Sequence, residues 1–158
     1  MSAVREAVLA YVALGANLGN AVAMVRDSID AIARLAQVEL LSGSSLYRTA
    51  PIDSSGPDYV NAVVCLRTTR TAYDLLAGLQ LLEDAAMRAR PYRNAPRTLD
   101  LDLLLFGDAR IDSATLAVPH PRMNARAFVL VPLAEIAPGL VDVAQLRRVS
   151  DQGCERLP

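Results

Sequence analysis

The stretch Leu99-Asp100-Leu101-Asp102-Leu103-Leu104-Leu105-Phe106 constrains the fold most, because it is too apolar to stay in water and yet carries two acids. Read as a strand, it puts residues two apart on one side, so Asp100 and Asp102 stand together about 7 Å apart along the backbone. Paired carboxylates bordered by buried leucines repel and resist desolvation unless cations share the site, and hard oxygen ligands on a rigid element suit Mg²⁺. Arg88, Arg90, Arg93 and Arg97 lie just upstream. A polyanion held between metal and guanidinium groups is the natural guest, and a nucleotide phosphate site is the first expectation. An ordinary amphipathic strand with its acids in water, beside a solvated arginine loop, fits this run equally well.

Other features must decide between the two. The 158 residues suit one domain, residues 1–158, and 53% apolar content suits a packed core. No apolar stretch is long enough to span a membrane, and Met1 to Glu6 lacks the pattern of a signal peptide, so a cytoplasmic chain with no membrane partner is expected. A net charge of −1 gives no field for attracting nucleic acid, so anion binding must be local. The chain contains no lysine, which removes a Walker-A loop, a Schiff-base lysine and a kinase-type strand lysine together. Cys65 and Cys154 are too few and too far apart for a zinc knuckle, and Cys65 reads as core. With His120 the single histidine, a metal site must be mainly carboxylate.

Periodicity predicts a strand over Val8 to Leu14, a turn at Gly15 to Asn20 and a helix from Ala21 to about Ala36. A long strand follows over Val38 to Thr49, then a turn cluster at Ser54 to Asp58 and a strand over Tyr59 to Thr68. A second helix starts at Thr71, whose spacing to Asp74 resembles a capping box. After the arginine loop comes the acid-bearing strand. The order strand, helix, strand, strand, helix, strand is that of a ferredoxin-like βαββαβ core, an α/β (α+β) fold with helices packed on an antiparallel sheet. A hairpin to Leu116, a proline-bounded loop at Val118 to Met123 and a helix from about Arg126 to Ile136 form a C-terminal extension. The last dozen residues are expected to fray.

Tyr59 and Asn61 share one strand face, as a pair that stacks on and hydrogen-bonds a planar heterocycle does; a surface ladder of polar residues has the same spacing. Thr49-Ala50-Pro51 lies at the mouth of the neighbouring strand and offers backbone groups. Gly15 to Gly19 precedes a helix, yet lacks the GxGxxG spacing of a dinucleotide site. Glu83, near the end of the second helix, is either a solvated acid or one that fixes a substrate or an arginine. Phe128 taken alone reads as core. His120, between two prolines, sits in a loop and is as apt for function as for structure.

Five stretches taken together resemble one family. Ala13-Leu14-Gly15-Ala16-Asn17-Leu18, Leu46-Tyr47-Arg48-Thr49-Ala50-Pro51, Pro57-Asp58-Tyr59-Val60-Asn61-Ala62, Ala95-Pro96-Arg97-Thr98-Leu99-Asp100-Leu101-Asp102 and Val118-Pro119-His120-Pro121-Arg122-Met123 are similar, in order, to 6-hydroxymethyl-7,8-dihydropterin pyrophosphokinases of folate biosynthesis. The resemblance implies transfer of the terminal diphosphate of ATP to a pterin hydroxymethyl oxygen by a monomer, with release of AMP. It implies two Mg²⁺ ions on Asp100 and Asp102, with ATP as co-substrate. Gly15, Thr49, Ala50, Ile52, Tyr59, Asn61, Asp100 and Phe128 match the pterin side; Glu83, Arg88, Arg90, Arg97, Leu103, His120 and Arg126 match the ATP side. Arg88 and Arg90 are expected to join catalysis when the loop from 87 to 98 closes. The chain departs from the family pattern at Ala16, Ala50 and Met87. Two rival readings remain: another Mg²⁺ phosphoryl-transfer enzyme with a different acceptor, and a ferredoxin-like module that binds a ligand without chemistry.

Overall fold

The central strand, Tyr59–Thr68 (β4), is buried on both faces, so the sheet must be covered on both sides. The computed structural model describes residues 5–17, 19–50, 57–88 and 99–158. It shows Val8–Ala16 (β1), Ala21–Ala33 (α1), Val38–Gly43 (β2), Tyr47–Thr49 (β3), β4, Ala72–Arg88 (α2) and Asp100–Phe106 (β5). These form the ferredoxin-like core. The extension adds a two-stranded hairpin of Ile111–Asp112 (β6) and Ala117–Val118 (β7), then Ala127–Ile136 (α3), Val143–Arg148 (α4) and Cys154–Arg156 (β8). The main sheet runs β5-β1-β4-β3-β8, with β2 also on β4 and every pairing antiparallel.

Alternation along the strands assigns each face. Val12 and Leu14 of β1, Val64 and Leu66 of β4 and Leu101 and Leu103 of β5 pack under Val25 and Ile32 of α1 and Leu75 and Leu79 of α2. Ala13, Val63 and Leu104 point the other way and pack under Leu130 and Leu133 of α3. The register of β5 slips against Tyr11 and Val12, leaving Leu104 without a direct partner. This bulge lets Leu104 and Leu105 both face α3 before Phe106 returns to the other layer. Thr71 caps α2 as its spacing predicts, its Oγ1 accepting from the Asp74 N–H at 3.0 Å.

Three expectations are corrected. The first helix ends at Ala33 rather than Ala36, and Gln37 takes a positive φ of 62° at the turn into β2. The strand predicted over Val38 to Thr49 is broken into β2 and β3. There the Ser44 hydroxyl accepts from the Val63 N–H at 3.0 Å, while the Ser45 N–H leaves the sheet for Glu135. The last dozen residues do not fray: β8 pairs with β3, and the Leu157 N–H donates to the Leu46 carbonyl at 2.9 Å.

Glu135, on α3, holds the β2–β3 break in place. It accepts from the Ser45 N–H (3.0 Å to Oε2), the Ser45 hydroxyl (2.9 Å) and the Tyr47 hydroxyl (2.6 Å). Burial alone raises the Glu135 carboxyl, but these donors outweigh it and hold the group below its ordinary value. Burial and then the bond to Glu135 push the Tyr47 hydroxyl up to about 12, so the pair is phenol donating to carboxylate. A carboxyl depressed in the folded state stabilises fully above its unfolded value, 4.5, and loses that contribution as the pH falls through the folded value below it. Glu135→Gln keeps one acceptor oxygen but no charge; because Glu135 is exposed and its charge is screened by solvent, the substitution is expected to lower stability by no more than about 1 kcal/mol at neutral pH. Urea melts in acid should show the two proteins converging; a constant gap would sink this account.

Candidate active site

α3 packs on Ala13, Val63 and Leu104, and the sheet opens beyond them at the end that carries Gly15, Asn61 and Asp100. Antiparallel register sets those three in one row: Gly15 lies opposite Asn61 on one side and Asp100 on the other, and Tyr47 continues the row beyond Asn61. Tyr59 pairs with Thr49, and Ala13 with Asp102. Side chains two apart on a strand share a face, so Tyr59 with Asn61, and Asp100 with Asp102, project to the same side.

A cavity of about 590 Å³ occupies this open end. Among the described residues its wall includes Gly15, Thr49, Ala50, Tyr59, Asn61, Asp100, Asp102, Arg126 and Phe128, all singled out from the sequence. Ala13, Leu14, Arg122 and Ala125 complete it and were not. The signal for Arg122 was its place in the proline-bounded loop, four residues before Arg126.

Asn61 is the fixed point of the floor. It is 3% exposed, and its Nδ2 donates to the Thr49 hydroxyl at 2.6 Å. A Cβ on residue 15 would come within 2.9 Å of the Asn61 Oδ1, so glycine there lets the amide lie against the β1 backbone. Across the cavity, the Arg126 guanidinium lies 5.3 Å from the centre of the Phe128 ring. This stacking favours a planar cation over an aromatic face.

The other expected residues are placed around the cavity rather than in its wall. Glu83 accepts from the Leu101 N–H at 2.8 Å, tying α2 to the outer edge of β5 between the two acids. Leu103 faces the α1 and α2 layer and is 3% exposed. The His120 backbone N–H donates to the Leu104 carbonyl at 2.9 Å, and its ring Nδ1 accepts from the Arg122 backbone N–H at 3.1 Å. Burial pushes the His120 imidazole down; Asp102 opposes this, and Arg126 and Arg122 add to it. The neutral ring with its proton on Nε2 follows. Arg88 ends α2, while Ile52, Arg90 and Arg97 lie outside the described residues, as does most of the loop expected to close.

The donor set fits Mg²⁺. No group of three or more His, Cys, Asp or Glu side chains that could cage a metal occurs among the described residues. Mg²⁺ in phosphoryl-transfer sites takes one or two carboxylates and fills its octahedron with water and substrate phosphate, and Asp100 and Asp102 offer that.

A ferredoxin-like sheet whose open end joins an amide and aromatic floor to paired carboxylates and guanidinium groups defines a small-molecule group-transfer enzyme. Residues 11–138 match the family described as 7,8-dihydro-6-hydroxymethylpterin-pyrophosphokinase (HPPK). The chain belongs to this family of pyrophosphokinases. It is 46% identical over 131 residues to the 2-amino-4-hydroxy-6-hydroxymethyldihydropteridine pyrophosphokinase of Pseudomonas aeruginosa, covering 82% of this chain and 81% of that one. The enzyme of the same name from Methylorubrum extorquens is 36% identical over 154 residues, 94% of this chain and 98% of that one. A crystal structure of Plasmodium falciparum HPPK-DHPS with pterin and p-hydroxybenzoate shares the fold, with a TM-score of 0.67 at 13% identity. There the match covers 87% of this chain and 41% of the longer one. No helix among the described residues is long and apolar enough to cross a membrane.

Proposed function

We infer that the cavity at the open end of the sheet is where this pyrophosphokinase joins its two substrates. The chain transfers the diphosphate of ATP to the hydroxymethyl oxygen of 6-hydroxymethyl-7,8-dihydropterin in folate synthesis. The oxygen bonds to the β-phosphorus, the bond from that phosphorus to the bridging oxygen of AMP breaks, and the hydroxyl proton is lost. The observation that carries the placement is the single row Asp100, Gly15, Asn61, which sets a heterocycle-binding amide one strand away from each neighbour and two strands from a phosphate-side carboxylate.

The division of labour follows from the chemistry of the wall. Asn61 pairs with the polar edge of the pterin, Tyr59 and Phe128 cover its faces, and backbone groups at Thr49 and Ala50 close the floor. Asp100 and Asp102 are suited to hold Mg²⁺, two ions by the family resemblance. Bound there, Mg²⁺ supplies Lewis-acid polarisation of the transferred phosphate and neutralises charge developing on AMP. Arg126 and Arg122 pair with phosphate oxygens, a task suited to a planar fork that keeps its charge when desolvated. His120, neutral, offers an Nε2–H to the same side. Glu83 acts through the β5 backbone, holding the strand between its two acids. Arg88, Arg90 and Arg97 are assigned to the ATP side, with Arg88 and Arg90 completing the site on loop closure. We place the enzyme in the cytoplasm as a single-domain monomer, since both substrates are small soluble molecules and the described residues of one chain bring the pterin-side and phosphate-side groups into one cavity.

The test is to incubate the protein with Mg²⁺, ATP and the pterin and to resolve the nucleotides formed. Pterin-dependent AMP, abolished by chelation of Mg²⁺, is the expected result. ADP as the product would move the reading to a simple kinase, and no turnover by folded protein would move it to a silent binding module.

A further inference from the structure

The family match ends at residue 138, but the chain beyond it returns to the cavity wall. Arg126 begins α3 in extended backbone, with φ −126° and ψ 113°, and its own side chain makes no capping hydrogen bond. The first free N–H of α3, on Ala127, therefore needs a partner from elsewhere. Gln152, in the turn before β8, provides it: its Oε1 accepts from the Ala127 N–H at 2.9 Å, and its Nε2 donates to the Ala125 carbonyl at 2.9 Å. One amide thus spans the residue between, gripping the backbone on both sides of Arg126. A second tie lies alongside, where the Gln145 Nε2 donates to the Asn124 Oδ1 at 2.8 Å. Gln145 is itself fixed by a reciprocal cap with Asp142 at the start of α4.

We propose that Gln152 is a positioning residue for the reaction, setting the direction of the Arg126 guanidinium from beyond the residues that match the family. Ala125, Arg126 and Phe128 all line the cavity, so a rotation of the peptides that Gln152 holds would swing Arg126 off the Phe128 face and away from its anion. The inference rests on the placement of Arg126 at the phosphate side. A guanidinium held by a bidentate amide keeps its charge when that amide is removed but loses aim, and a planar fork turned away from its phosphate oxygens binds them more weakly in the bound nucleotide.

The experiment is a double-mutant cycle on KM for ATP, KM for pterin and kcat with wild type, Gln152→Ala, Arg126→Ala and the double variant. Gln152→Ala is expected to raise KM for ATP on the order of tenfold with KM for pterin changed far less. In the Arg126→Ala background the same change should add almost nothing, because the group it positions is gone. A tenfold effect that persists in that background overturns the proposal, and so does an unchanged KM for ATP in Gln152→Ala when Arg126→Ala raises it. If Arg126→Ala itself leaves the KM for ATP unchanged, the phosphate-side placement of Arg126 fails and the proposal with it. Gln152→Met keeps the volume and removes both hydrogen bonds, so it carries the same comparison if the alanine variant does not fold.

Discussion

Asp102→Asn is expected to lower kcat/KM by about three orders of magnitude, or about 4 kcal/mol of transition-state stabilisation, while the protein stays folded. Asparagine matches aspartate in volume, and the β5 register that sets residue 102 opposite Ala13 depends on backbone bonds alone. What disappears is the second negative charge on that face, and with it half of the carboxylate pair suited to Mg²⁺. Melting temperature and steady-state rates measured on the same preparation separate fold from chemistry. The chain's single histidine adds a second readout. Asp102 raises the His120 imidazole against the lowering effects of burial, Arg126 and Arg122, so removing its charge should move the His120 titration still lower by NMR. Turnover within threefold of wild type would show that Asp102 does not face the reacting phosphates, and a His120 titration that moves up would show that the Asp102 charge does not act on the imidazole.

Local periodicity made most of this architecture readable. The alternation in β4 and β5 and the three-to-four spacing in α1 and α2 are properties of neighbouring residues, and they led directly to the βαββαβ order. The pairs Tyr59 with Asn61 and Asp100 with Asp102 were legible for the same reason. The break between β2 and β3 was not, because its cause is Glu135, about ninety residues away, capturing the Ser45 N–H. Nor was the ordered tail. β8 has three residues and joins the sheet through backbone bonds, and Gln152 acts through its amide, so neither leaves an apolar pattern to detect. The turn expected to start at Gly15 starts later, because β1 runs on to Ala16 and pairs Gly15 with Asn61 and Asp100; only that pairing shows why residue 15 must lack a Cβ.

That packing leads to the second large effect, a selective loss of pterin binding in Asn61→Ala. The Asn61 amide is buried and held by Thr49, so it meets a ligand without first giving up freedom of its own. Truncation leaves a polar edge of the heterocycle unpaired in a buried site, and the expected loss is about 1 to 3 kcal/mol, or roughly five- to 150-fold in Kd. ATP affinity should hardly change, since Asn61 lies two strands from β5. Gly15→Ala approaches the same endpoint from the other side. Its methyl group would come within 2.9 Å of the Asn61 Oδ1, and the amide can make room only by leaving its bond to the Thr49 hydroxyl. The two substitutions should therefore be non-additive: once Asn61 is alanine, the new methyl has nothing to displace. Pterin titrations of the four proteins by calorimetry decide it. Equal losses in pterin and ATP affinity would mean that the cavity is not divided as assigned, and strict additivity would mean that Gly15 acts on the pterin by some route other than the Asn61 amide.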